Sequence, residues 1–179
     1  LSEYDWAGIN YNFADTKITD VVTATSYLKN ETRVTSRVSP SFVRDTRDNF
    51  MNPSSGSRHV VRFDLAGLGG IKFHRMSYET SHYWPIVGNL VGMLHGSIAW
   101  ADGYAGDDLP SFEKYYMGGP KSLRGYTIKN IGPKDSSGNP LGGNQSLLLN
   151  AELQYPFTKG FRGFLFYDRG NVYGEGSDV

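Results

Sequence analysis

The chain has 179 residues, with 18 Lys plus Arg against 18 Asp plus Glu and a formal net charge of zero. That length supports one domain with a sizeable core, and the balanced charge lacks the basic excess expected of a nucleic-acid binder. Cysteine is absent, which excludes disulfides, thiolate metal sites and a cysteine nucleophile. Aromatic residues make up 14% of the chain and glycine contributes 22 residues, a mixture that suits β-structure with many turns. No stretch reaches the roughly 18 apolar residues of a spanning helix. A transmembrane barrel is not excluded by that, because its strands alternate apolar and polar residues. The opening Leu1-Ser2-Glu3-Tyr4-Asp5 carries no signal-peptide pattern and reads as the interior of something larger.

Trp6 to Phe13 is the first expected strand. Ala7, Ile9, Tyr11 and Phe13 fall on one face, and Gly8, Asn10 and Asn12 on the other. Residues 14–30 leave two readings open, an extension of the strand or a short helical turn between Ile18 and Leu28. The second strand runs from Arg33 to Asp45. Asp45-Thr46-Arg47-Asp48-Asn49 with Pro53 and Gly56 then reads as a turn. Arg58 to Leu68 is the third strand, closed by a reversal at Gly67-Leu68-Gly69-Gly70. Lys72 to Trp84 is the fourth, followed by a short turn over Pro85 to Asn89. Leu90 to Trp100 is the fifth.

A long loop is expected from about Ala101 to Gln145. Ser146 to Phe157 is the cleanest alternation of all. Leu147, Leu149, Ala151, Leu153, Tyr155 and Phe157 oppose Asn150, Glu152 and Gln154. Thr158-Lys159-Gly160 turns the chain into a seventh strand, Phe161 to Val172. The expected fold is therefore all-β, with about seven antiparallel strands, one apolar face and one polar, charged face.

Two architectures fit that alternation, a soluble sandwich with a dry core and a membrane barrel with lipid outside. The polar faces carry Arg37, Arg62, Arg75, Glu79, Glu152 and Asp168 near mid-strand. Aromatics near strand ends (Trp84, Trp100, Tyr155, Phe157, Phe161) match interfacial girdles.

One constellation stands apart. Gly118-Gly119-Pro120-Lys121-Ser122-Leu123-Arg124-Gly125-Tyr126 lies in the long loop, and Glu152 and Asp168 lie on the polar faces of the two strands that follow. A guanidinium is a rigid fork of donors that two carboxylates can grip together. A turn centred near Lys159 places Glu152 opposite about Phe166, with Asp168 one diagonal step away. Gly118, Gly119 and Gly125 suit positive φ or a close backbone approach. Tyr126 either packs against the wall or stands free.

Three segments together resemble the Omp85 family. They are the Asp45-to-Gly56 turn, Phe112-Glu113-Lys114-Tyr115-Tyr116-Met117-Gly118-Gly119 running into Leu123-Arg124-Gly125-Tyr126, and Asn150-Ala151-Glu152-Leu153-Gln154-Tyr155-Pro156 followed by Phe166-Tyr167-Asp168-Arg169-Gly170-Asn171. The resemblance implies an antiparallel transmembrane β-barrel in the bacterial outer membrane. Residues 1–179 would be one partial barrel domain, without the periplasmic POTRA domains and without the first and last strands. It implies folding and insertion of barrel proteins, with unfolded outer-membrane proteins, assembly-complex lipoproteins and the lipid bilayer as partners. It implies no cofactor, no enzyme activity and no nucleic acid. Arg124, Gly125 and Tyr126 with Glu152, Asp168 and Gly170 would tether the loop inside the lumen.

Rival readings are a two-partner secretion transporter of the same superfamily and a soluble β-sandwich carbohydrate-binding module. Taking Glu152 and Asp168 as an acid pair gives a glycosidase variant. His59, His74, His82 and His95 show no ligand spacing, so no metal site is expected. Asp45, Asp48 and Asp64 are expected to cap turns. No GxSxG elbow or GxxxxGK phosphate loop occurs.

Overall fold

The computed structural model describes residues 2–18, 31–158 and 160–174. Seven strands follow in chain order: β1 (Asp5–Ile18), β2 (Glu31–Asp45), β3 (Gly56–Ala66), β4 (Phe73–Val87), β5 (Leu90–Gly103), β6 (Gln145–Thr158) and β7 (Phe161–Tyr173). They form one antiparallel sheet in the order β1-β2-β3-β4-β5-β6-β7. β1 and β7 are its two edges, so the sheet is open and does not close on itself. Each strand has 11 to 15 residues. About 9–11 tilted residues suffice to cross a bilayer.

β1 continues through Ile18, which settles the first part of the undecided segment; residues 19–30 lie outside the described residues. The expected turn at Pro85 to Asn89 is shorter than that. Pro85, Ile86 and Val87 belong to β4, and Val87 pairs with Leu90. The register shifts between Pro85 and Val87, an irregularity that accommodates a residue without an N–H.

The register sorts side chains as alternation requires. Met93, Glu152 and Phe166 form one row across the polar face, and His95, Asn150 and Asp168 form the next. On the other face Ile98, Leu147 and Asn171 share a row. That apolar face is bare: Ile9 is 80% exposed and Leu165 71%. A dry-centred sandwich needs these side chains covered by a second layer, and the described residues supply none.

The buried core lies on the opposite side, between the sheet and the loop over residues 104–144. One cluster joins Ala66, Ile71, Phe73, Ala101 and Leu109; the other joins Met117, Leu123, Leu148 and Val172. The polar face is thus not polar throughout. Phe73, Ala101, Leu148 and Val172 sit on it where the loop covers it, and covered wall positions bury best as apolar residues.

Candidate functional site

The loop lies over the polar face without becoming a strand. A 3-10 turn over Ser111–Glu113 starts its descent. Isolated bridges at Tyr115–Gly143, Met117–Ile131 and Lys134–Pro140 fold it on itself. The segment bearing Arg124 is shaped locally. The Ser122 N–H donates to the Gly119 carbonyl at 3.1 Å, and the Gly118 N–H donates to Ser122 Oγ at 3.0 Å. Gly125 follows with φ +85°, in the left-handed region that costs glycine least.

Arg124 reaches both carboxylates. Its Nε donates to Asp168 Oδ2 at 2.8 Å, Nη2 to Asp168 Oδ1 at 2.5 Å and Nη1 to Glu152 Oε1 at 2.5 Å. Its backbone N–H also donates to Asp168 Oδ2, at 3.0 Å. The Asp168 contact is the two-point geometry that a guanidinium fork favours. The side chains of Glu152 and Asp168 are only 10% and 5% exposed, so these charges are largely removed from water. Hydrogen bonding to Asp168, then to Glu152, raises the Arg124 pKa further above its ordinary value. Arg124 is thus held as a cation.

Glu152 stands opposite Phe166, as the turn position requires, and Asp168 opposite Asn150. Gly170, two residues beyond Asp168 on the same face, lies under Met117 of the loop. A Cβ there would lie 2.6 Å from the Leu147 carbonyl oxygen and 2.8 Å from Met117 Sδ. Tyr126 is not drawn in and remains 57% exposed.

The sequence reading missed three participants. Phe166 lies beneath the guanidinium, with Arg124 Cζ 3.8 Å from the ring centroid, a cation–π contact. Its apolar side chain on a polar face was the available signal. Asn150 donates from Nδ2 to Asp168 Oδ1 at 2.7 Å and to the Ser122 carbonyl at 2.8 Å, joining wall and loop. Gln154 donates to Glu152 Oε2 at 2.7 Å and accepts from Arg162 at 2.8 Å.

A second charged group was also missed. Glu113 lies between Arg37 of β2 and Arg75 of β4, accepting from Arg37 Nη1 at 3.1 Å and from Arg75 Nη1 at 2.6 Å. Asp64 of β3 is 4.0 Å from both arginines. Asp64 therefore faces cations within a strand and caps no turn, unlike Asp48. Asp48 Oδ1 accepts from the N–H groups of Ser54 at 2.9 Å and Ser55 at 3.2 Å.

Among the described residues no group of three or more His, Asp or Glu side chains could hold a metal. Glu152 and Asp168 are both engaged by one arginine, which leaves no free acid–base pair of the kind glycoside hydrolysis needs. The arrangement binds a loop to a wall.

These features define a class: an open section of β-barrel wall with a bare apolar face and a loop gripped on the polar face. The sequence matches the Omp85 superfamily domain over residues 1–179, and the chain belongs to that superfamily. Outer membrane protein assembly factor BamA of Neisseria meningitidis serogroup B is 30% identical over 141 residues, covering 73% of this chain and 18% of the relative. A sorting and assembly machinery component 50 homolog of Mus musculus is 30% identical over 159 residues, covering 79% of this chain and 33% of the relative. The crystal structure of BamA from Haemophilus ducreyi lacking POTRA domains 1-3 matches with a TM-score of 0.87 at 19% identity. That likeness covers 97% of this chain and 40% of the other, and it shows the fold. The chain thus spans a third or less of the length of these two relatives. It is an incomplete portion of an Omp85-type outer-membrane barrel.

Proposed function

We propose that this chain is a central to late part of the barrel of a bacterial outer-membrane assembly factor that folds and inserts β-barrel proteins. The POTRA domains and remaining strands would belong to the rest of the longer protein. Unfolded outer-membrane proteins are the substrates, and assembly-complex lipoproteins and the bilayer are the partners. The role needs no cofactor and no chemical step. The names carried by the bacterial relatives support the assembly role, and the bare apolar face of the sheet supports contact with lipid.

The observation that carries the reading is the grip of Arg124 on Glu152 and Asp168. In a closed wall the polar face lines the lumen, so the loop would be pinned inside. The decisive variant is Arg124→Ala in the full-length protein. It leaves two carboxylates facing each other without their cation, at a cost of about 3 kcal/mol. Insertion of an unfolded barrel substrate into vesicles should slow about tenfold. An unchanged rate, with the loop shown to be displaced, would refute the assignment of this loop to assembly.

A further inference from the structure

We propose that Glu113 is a second positioning residue of the loop, of opposite polarity to Arg124. This deepens the assembly reading and rests on it.

Around Asp64 the wall charges do not balance without the loop. Arg37 and Arg75 are two cations on the polar face, and Asp64 between them is one anion. Asp64 is 4.0 Å from each, beyond hydrogen-bond reach. Glu113 enters from the loop as the missing anion. Its Oε2 is shared by both guanidinium groups, and its Oε1 accepts from Arg37 Nη1 at 3.3 Å. The Glu113 side chain is 12% exposed, against 22% and 25% for Arg37 and Arg75. Tyr115, two residues on, closes the group. Its ring lies 4.9 Å from Arg75 Cζ, and its hydroxyl accepts from Arg75 Nε at 3.4 Å.

The two anchors are mirror images in charge. At one, a loop cation meets wall anions on β6 and β7; at the other, a loop anion meets wall cations on β2 and β4. Adjacent strands lie about 4.8 Å apart, so the anchors are separated by roughly 17 Å across the sheet. A loop held by opposite charges at its two contacts has one favourable placement. Sliding or reversing it would bring Glu113 toward Glu152 and Asp168, and Arg124 toward Arg37 and Arg75. Glu113 thus fixes where the loop enters, Arg124 fixes its far end, and the loop braces the wall from β2 to β7.

The test uses the full-length protein in vesicles, with two spin-label pairs. One pair, at Lys114 and Ser77, reports the loop entry; the other, at Lys121 and Ser81, which line one cavity, reports the far end. Glu113→Gln should broaden the first distance distribution and leave the second narrow. Arg124→Ala should do the converse. Substrate insertion should slow about fivefold in Glu113→Gln. It should recover in Glu113→Asp, which keeps the charge.

If Glu113→Gln leaves the entry pair narrow, or broadens both pairs together, the separate anchor is disproved. The same holds if insertion by Glu113→Gln matches wild type while Arg124→Ala is impaired. If neither variant slows insertion but each loosens its own end, the anchor stands and the assembly role of the loop falls.

Discussion

Asp168 accepts four hydrogen bonds, three from Arg124 and one from Asn150. Few exposed surface pairs are worth more than about 1 kcal/mol. This one differs because its carboxylates are largely buried and nearly every oxygen has a donor. Phe166 adds a flat surface beneath the guanidinium and excludes water from one side of it. Asp48 shows the same chemistry without burial. The hydroxyl and N–H of Ser54, then the N–H of Ser55, hold its carboxyl down at about 2. The folded value lies below the unfolded one of about 3.9, so the Asp48 contribution is present above about pH 4. It is lost as pH falls through 2. Hydrogen-exchange protection at Ser54 and Ser55 should therefore decline from pH 4 to pH 2, and should be low throughout in Asp48→Asn. Protection that stays flat in the wild type over that range would contradict this.

The elements were read from alternation, and alternation served best where both faces are distinct. β6 is the clearest case: Leu147, Leu149 and Leu153 on one side and Asn150, Glu152 and Gln154 on the other fix its faces, and the expected turn centred near Lys159 fixes its register against β7. The placement of Glu152 and Asp168 on neighbouring polar faces was legible for the same reason, whereas Arg124 as their partner was what the family resemblance implied. Glu113 was not legible, because no periodicity runs through a loop and its partners lie 76 and 38 residues away. The signal lay in the wall, where Arg37 and Arg75 outnumber Asp64. The apolar patch under the loop was hidden likewise: Leu148 and Val172 follow the polar face in period but are buried by a distant segment. Gly170 is the test at this scale. Its missing side chain lets Met117 reach the wall. Gly170→Ala should destabilise the barrel by about 1–3 kcal/mol, as overpacking does, measured as a lower denaturant midpoint. A midpoint equal to wild type would show that the loop does not pack there at this density.

The whole molecule reverses the layering of a soluble domain. Its apolar side chains point outward from a single sheet, and its packed core lies between the charged face and a folded loop. Open edges on β1 and β7 leave two rows of backbone groups that further strands must pair if the wall stands in hydrocarbon. Both features have one physical source, a surrounding medium that is oily outside and wet inside. Nitroxide scanning along β6 of the full-length protein in lipid vesicles addresses this directly, using single cysteines at 146, 147, 148, 149, 151 and 153, which leave Asn150 and Glu152 in place. Accessibility to oxygen should be high at 147, 149, 151 and 153. It should be low at 146 and 148, where a water-soluble nickel reagent should also be excluded by the loop. Low oxygen accessibility at the odd positions, or free access of nickel to the even ones, would contradict a lipid-facing wall carrying a pinned loop on its inner side.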